Sequence, residues 1–107
     1  MEHLETLAEL VDIIRARRGA DAGESYVASL LHAPVDKVLK KIGEEATETV
    51  IAAKGGVRQE IVYESADLLF HLLVMLEHQG IAADEIFVEL RRRFGLSGLA
   101  EKAQRKQ

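Results

Sequence analysis

The sequence has no cysteine, no tryptophan and a single proline among its 107 residues. Without cysteine there is no disulfide, no thiolate zinc site and no sulfur nucleophile, a pattern that fits a reducing compartment. Basic excess is also missing. The net charge is −4, whereas nucleic-acid-binding domains usually carry a surplus of Lys and Arg. Aromatics make up only 5%, too few for a base-stacking surface. No long hydrophobic run exists either. The longest apolar stretch, 66–76, is interrupted by Asp67 and His71 and is too short to span a bilayer. The first residues include acids rather than a basic-then-apolar leader pattern, so a cytoplasmic location is expected.

What is present favours helix. Leu, Ala, Glu, Lys and Arg dominate and rank high in helix propensity. A hydrophobic fraction of 48% supplies a core for one compact domain, residues 1–107. Glycines punctuate the chain at 19, 23, 55–56, 80, 95 and 98. Leu4, Leu7, Val11 and Ile14 recur at helical spacing, which predicts a helix over 4–18 ending at Gly19. Ser25 is placed to cap a short helix through Leu31. Pro34 opens a long helix. It carries one apolar stripe, Val35, Val38, Leu39, Ile42, Ala46, Val50 and Ala53, and stops at Gly55-Gly56. A fourth helix over 57–79 is apolar nearly all round, a pattern that demands burial on several sides. A fifth is predicted over 84–94. Ser97 could cap a last short basic helix over 98–105. The fold class expected is all-α, a helical bundle completed by a second copy of the chain.

The polar residues on the two central helices fall in a pattern. At about 100° per residue, Glu60, Glu64, Asp67 and His71 share one narrow face. Glu45 and Glu48 sit on one flank of the preceding stripe, with Lys37 and Lys41 on the same flank. Two helices joined through Gly55-Gly56 pack antiparallel, which brings Glu45 and Glu48 towards Glu64 and Asp67. The signature is E-x-x-E, a helical hairpin, then E-x-x-D. Four carboxylates beside an apolar core do not stay ionised unaided, because each desolvated charge costs several kcal/mol. A divalent cation resolves the conflict, and an all-oxygen set suits Mg²⁺ or Mn²⁺. Glu44 points away from the hairpin partner, where a solvated side chain is as natural as a functional one. A lone histidine such as His71 is more often a hydrogen-bonded structural residue than a ligand. The Arg91–Arg93 run, from spacing alone, reads as a solvated helix end.

The segment 40–48, Lys-Lys-Ile-Gly-Glu-Glu-Ala-Thr-Glu, followed by 64–73, Glu-Ser-Ala-Asp-Leu-Leu-Phe-His-Leu-Leu, closely resembles the phosphoribosyl-ATP pyrophosphatases. These belong to the all-α, MazG-like NTP pyrophosphohydrolase superfamily. Ser25-Tyr26 and the run 92–103 extend the resemblance over nearly the whole chain. Val27 stands where that family often has Thr, and Phe70 where Tyr is common. The resemblance implies Mg²⁺-dependent hydrolysis of phosphoribosyl-ATP to phosphoribosyl-AMP and pyrophosphate, the second step of histidine biosynthesis. It implies metal ligation by Glu45, Glu48, Glu64 and Asp67. On that reading Glu44 or Glu48 is the general base, and Lys37, Lys41, Arg93 and Lys102 neutralise the phosphates. Two other functions compete: a house-cleaning nucleoside triphosphate pyrophosphatase of the same superfamily, and a non-catalytic helical dimerisation module. Neither nucleic acid nor membrane is expected as a partner.

Overall fold

The computed structural model describes residues 2–94 and residue 105. Lys102, and all but the last residue of the helix expected over 98–105, lie outside the described residues. The elements are α1 (Glu2–Ala16), running into a 3₁₀ turn (Arg17–Gly19), then α2 (Tyr26–Leu31), α3 (Val35–Gly55), α4 (Arg58–His78) and α5 (Ala83–Arg92). No strand occurs among the described residues, so the all-α expectation holds. No helix among them is long and apolar enough to cross a membrane.

Local chemistry sets the helix ends. The Ser25 hydroxyl accepts from the Ala28 backbone N–H at 3.0 Å, which satisfies one of the free donors at the start of α2. Pro34 precedes the first turn of α3 with φ −59°, a value its ring enforces. Gly56 closes α3 at φ +78° and Gly80 follows α4 at φ +74°. Both positions need the left-handed region that side-chain-bearing residues avoid. At the start of α5 the Glu85 carboxylate reaches back to the Ala82 N–H at 3.1 Å. The helix ends at Arg92, two residues short of the expected Phe94.

The core gathers Ile14, Leu30, Leu31, Val38, Leu73, Val74, Leu76 and Ala83, with Val27 and Phe70 packed against it. It lies where α1, α2 and the C-terminal half of α4 meet. Three side chains fasten loops around it. His78 Nε2 donates to the Ala33 carbonyl at 2.8 Å and His32 Nε2 to the Ala20 carbonyl at 2.8 Å. Arg18 grips both the carboxylate and the carbonyl of Glu77.

Helices α3 and α4 pair along their lengths as the expected hairpin, but the packed seam is not the expected stripe. Val38, Glu45 and Ala52 are buried in it. Of the predicted stripe, Leu39 remains 48% exposed and Val50 68% exposed. The physical reason is that α4 takes the polar flank of α3, so Val38 stays buried, Ile42 and Ala46 are half-buried, and Val35, Leu39 and Val50 face outward. Helix α4 likewise leaves Val62 and Leu69 exposed. The hairpin therefore carries uncovered apolar side chains on both of its helices, the kind of surface that marks an interaction site.

Candidate metal centre

The hairpin register determines the site. Helices α3 and α4 each run 21 residues and are joined by a turn that needs only Gly56 and Val57. Midway along the seam, the Thr49 hydroxyl lies 2.8 Å from the Glu45 carbonyl and 3.2 Å from the Glu64 carbonyl. This contact ties the two helices together at the level of the acidic residues.

Around that tie, Glu45, Glu48, Glu64 and Asp67 each present a carboxylate oxygen, all within 4.8 Å of one another. The four residues named by the sequence pattern are thus brought together. Glu45 is the deepest at 3% exposure; Glu64 and Asp67 are half-buried and Glu48 is exposed. The cluster opens on the Glu48 side, where Glu48, Ile51, Ala52, Glu60 and Glu64 line a shallow depression. Glu60 shares the face but stands outside the quartet.

Among the described residues, one cation touches this group. Lys41 Nζ lies 3.3 Å from Glu45 and 3.5 Å from Glu44. A single ammonium does not balance four carboxylates. Glu45 accordingly sits above the ordinary carboxylate range. The nearby Asp67 carboxylate, which favours a shared proton, is the largest cause; burial follows, and Lys41 opposes both. Lys41 loses hydration by burial, but its hydrogen bond to Glu45 and the surrounding acidic groups leave it raised on balance. Two oxygens, Glu45 Oε2 and Glu64 Oε2, are buried with no hydrogen-bond partner among the described residues. Buried polar atoms almost always have partners, and two orphans of one sign on residues whose carboxylates converge fit a bound cation. The donors are all oxygen, which suits a hard divalent ion.

The other expected residues are placed less centrally. Glu44 is held by Lys40 and Lys41 on the exposed side of α3 and does not join the quartet. Lys37 is exposed one turn before Lys41. Arg93 Nε contacts Glu89 at 2.9 Å, which pairs it with its own helix. His71 is 4% exposed and fully hydrogen-bonded, through Nδ1 to the Asp67 carbonyl and through Nε2 to the Tyr26 hydroxyl, both at 2.8 Å. Phe70 meets the His71 ring edge-on at 5.2 Å. Val27 packs on the core, so its lack of a hydroxyl takes nothing from the site.

Tyr26 is the residue that sequence reasoning passed over. It starts α2, immediately after the Ser25 cap. Its partial burial pushes the phenol upward; Lys41 opposes, and Asp67, Glu45 and Glu44 add to the rise. A signal existed in the placement of His71 one turn beyond Asp67, because a buried imidazole there needs a partner on another helix.

Residues 7–94 match a protein family described as phosphoribosyl-ATP pyrophosphohydrolase. The chain is 59% identical to a phosphoribosyl-ATP pyrophosphatase of Geobacter metallireducens over 97% of this chain and 95% of that protein. It is 57% identical to one from Geobacter sulfurreducens, over 99% and 98% respectively. A protein of the same name from Methylococcus capsulatus is 53% identical over 96% of this chain and 98% of its own length. The matched span takes in α2, the hairpin and all four clustered carboxylates, and on that ground the chain belongs to the phosphoribosyl-ATP pyrophosphohydrolase family.

Proposed function

We propose that this protein hydrolyses phosphoribosyl-ATP to phosphoribosyl-AMP and pyrophosphate, the second step of histidine biosynthesis, using Mg²⁺ held by Glu45, Glu48, Glu64 and Asp67. The observation that carries the metal assignment is the pair of buried, unpartnered oxygens on Glu45 and Glu64 inside a quartet of converging carboxylates. The substrate follows from the family and from the names of relatives that match almost end to end.

When bound, Mg²⁺ (or Mn²⁺ in its place) supplies a Lewis acid for phosphoryl oxygens. The remaining work falls to the chain. Glu48, the exposed member of the quartet, stands where substrate arrives and takes the proton of the attacking water. Glu44, engaged with two lysines, is the alternative base. Lys41, already at the cluster, and Lys37, one turn away along α3, offset charge on the triphosphate and on the departing pyrophosphate. The bond broken is the anhydride between the α and β phosphates.

The protein works as a homodimer in this proposal. Exposed Leu39, Val50, Val62 and Leu69 on the hairpin form the face that a second copy covers. Arg93 and Lys102 then act on phosphate across the subunit boundary, Arg93 exchanging Glu89 for substrate. A cytoplasmic location agrees with a cysteine-free chain and with a biosynthetic role.

The test is a product assay. Purified protein is incubated with phosphoribosyl-ATP, with and without Mg²⁺, alongside dATP and dUTP. Mg²⁺-dependent pyrophosphate release from phosphoribosyl-ATP is expected. Preferential turnover of the deoxynucleotides would transfer the chain to nucleotide house-cleaning. No turnover by folded protein would leave a helical dimerisation module.

A further inference from the structure

His71 is nearly as buried as any side chain in the protein, at 4% exposure, and it lies against the carboxylates. One of its nitrogens falls within 4.8 Å of oxygens on Glu45 and Asp67. Distance alone would make it a nitrogen ligand. Its hydrogen bonds argue otherwise. Nδ1 lies 2.8 Å from the Asp67 carbonyl oxygen, an atom that can only accept, so Nδ1 carries the proton. The same N–H is 3.4 Å from Asp67 Oδ1, close enough to bias the carboxylate's orientation. In the neutral imidazole a proton on Nδ1 leaves Nε2 a bare lone pair. It accepts from the Tyr26 hydroxyl at 2.8 Å. Both nitrogens are therefore engaged, one from each side, and neither is left for a cation.

The chain of bonds has a direction. Tyr26 donates to His71, and His71 donates to the Asp67 backbone carbonyl, with the Asp67 carboxylate 3.4 Å from the same nitrogen. The phenol proton points into the protein, so towards the site Tyr26 offers only lone pairs. Its surroundings are polar: Lys41, Asp67, Glu45 and Glu44 are its charged neighbours. Helix α2 holds Tyr26 there because the Ser25 cap fixes its first turn. The ring stands edge-on to the imidazole, 5.7 Å between centroids at 76°.

We propose that Tyr26 and His71 are positioning residues for the metal centre: they lock the imidazole in its Nδ1–H form and through it hold the Asp67 carboxylate in the orientation that binds the cation. The inference rests on the metal reading of the four carboxylates and adds two residues, one from α2, that touch no metal themselves. Partners behind a ligand commonly change metal affinity by about 10–100-fold, and this pair supports Asp67 through the bond to its backbone carbonyl and the 3.4 Å contact of the same nitrogen with its carboxylate.

The test uses Mn²⁺ as the probe on the substrate-free protein, with binding read by electron paramagnetic resonance. Tyr26→Phe keeps the ring and removes only the hydroxyl. It is expected to weaken Mn²⁺ binding about tenfold while the thermal midpoint of the metal-free protein stays at the parent's. In turnover, kcat falls and KM for phosphoribosyl-ATP does not. His71→Phe gives the same loss, and the double variant loses no more than the worse single, because both act through one chain of bonds. If His71→Phe does not fold, Tyr26→Phe decides alone. Long-range ¹H–¹⁵N spectra are expected to show the Nδ1–H tautomer. Unchanged Mn²⁺ affinity in Tyr26→Phe overturns the inference, as does direct ¹⁴N coupling to bound Mn²⁺, which would make His71 a ligand. A parent protein that binds no Mn²⁺ sinks the metal reading itself and this inference with it.

Discussion

Replacing Glu45 by glutamine should reverse the order of stability between variant and parent when Mg²⁺ is added. Glu45 is buried, and its Oε2 has no partner. An unpaired buried polar atom costs about 1–3 kcal/mol. Glutamine has the same shape, carries no charge and brings an amide that can donate to Asp67. Its remaining oxygen still accepts from Lys41, which also keeps Glu44 at 3.5 Å. The ion pair lost joins buried Glu45 to a Lys41 side chain that is 30% exposed. Lys41 keeps water and Glu44, so the loss stays near the upper end of the roughly 0–1 kcal/mol of partly exposed pairs, about 1 kcal/mol. The variant should therefore gain roughly 1 kcal/mol without metal, or about 4 °C in midpoint. With Mg²⁺ at a hundred times its dissociation constant, the parent gains about 2.7 kcal/mol, and the variant, having lost its deepest ligand, gains little. The sign with pH follows from the raised Glu45. A carboxyl raised on folding contributes stability below its ordinary value of 4.5 and loses it as pH rises through the raised value. The advantage of glutamine is thus full at pH 8 and shrinks towards pH 4.5. Scanning calorimetry in EDTA and in Mg²⁺, at fixed protein concentration, reads all of this. A variant less stable than the parent in EDTA at pH 8, yet equally stabilised by Mg²⁺, refutes the reasoning about the unpartnered oxygen.

Glu64→Gln should lower hydrolysis by more than about 100-fold, since it removes a ligand rather than a supporting contact; circular dichroism should show intact helices, and a fully active variant removes Glu64 from the ligand set. If the protein is the proposed dimer, Val50→Glu combined with Leu69→Glu should shift it to half its mass in light scattering, because charges on a covered apolar face are not tolerated; an unchanged mass moves the dimer face elsewhere. Glu89, clamped by Arg92 and Arg93, has its pKa lowered from 4.5 to about 2. The stabilisation it gives the end of α5 should persist above pH 4.5 and disappear as pH falls through about 2. Carboxyl NMR shifts of Glu89 that titrate near 4.5 would show the clamp to be absent in solution.

Much of this architecture is written in local chemistry. Ser25, Pro34, Gly56 and Gly80 mark helix boundaries because each answers a requirement of two or three neighbouring residues: a free donor, a fixed φ, a left-handed turn. The carboxylate quartet is legible for a related reason. Spacings of three residues on two antiparallel helices place oxygens together whatever the rest of the protein does. The side of α3 that packs on α4 is different. Apolar periodicity chooses Val35 through Ala53, yet the seam holds Glu45 and Thr49, whose burial is made tolerable by Lys41, by carbonyls of both helices and, on the reading above, by a cation. Periodicity has no access to those partners. Tyr26 and His71 lie 45 positions apart, and only the packing of α2 on α4 makes them neighbours. Arg93 shows the converse: a basic residue in an attractive position can be occupied by an acid one turn away on its own helix.

The turn at Gly56 reaches further than the ending of a helix. Each residue added in helical conformation between Glu48 and Glu64, at the end of α3 or the start of α4, would advance the carboxylates beyond it by about 1.5 Å and rotate them by about 100°. A single insertion there would swing Glu64 and Asp67 away from Glu45 and Glu48 without disturbing either helix. The segment from Gly19 to Glu24, far from the carboxylates along the chain, has no such counting role. The stretch through the turn thus acts as a reading frame for the four carboxylates, and length changes should accumulate in the 19–24 segment and be purged between Glu48 and Glu64.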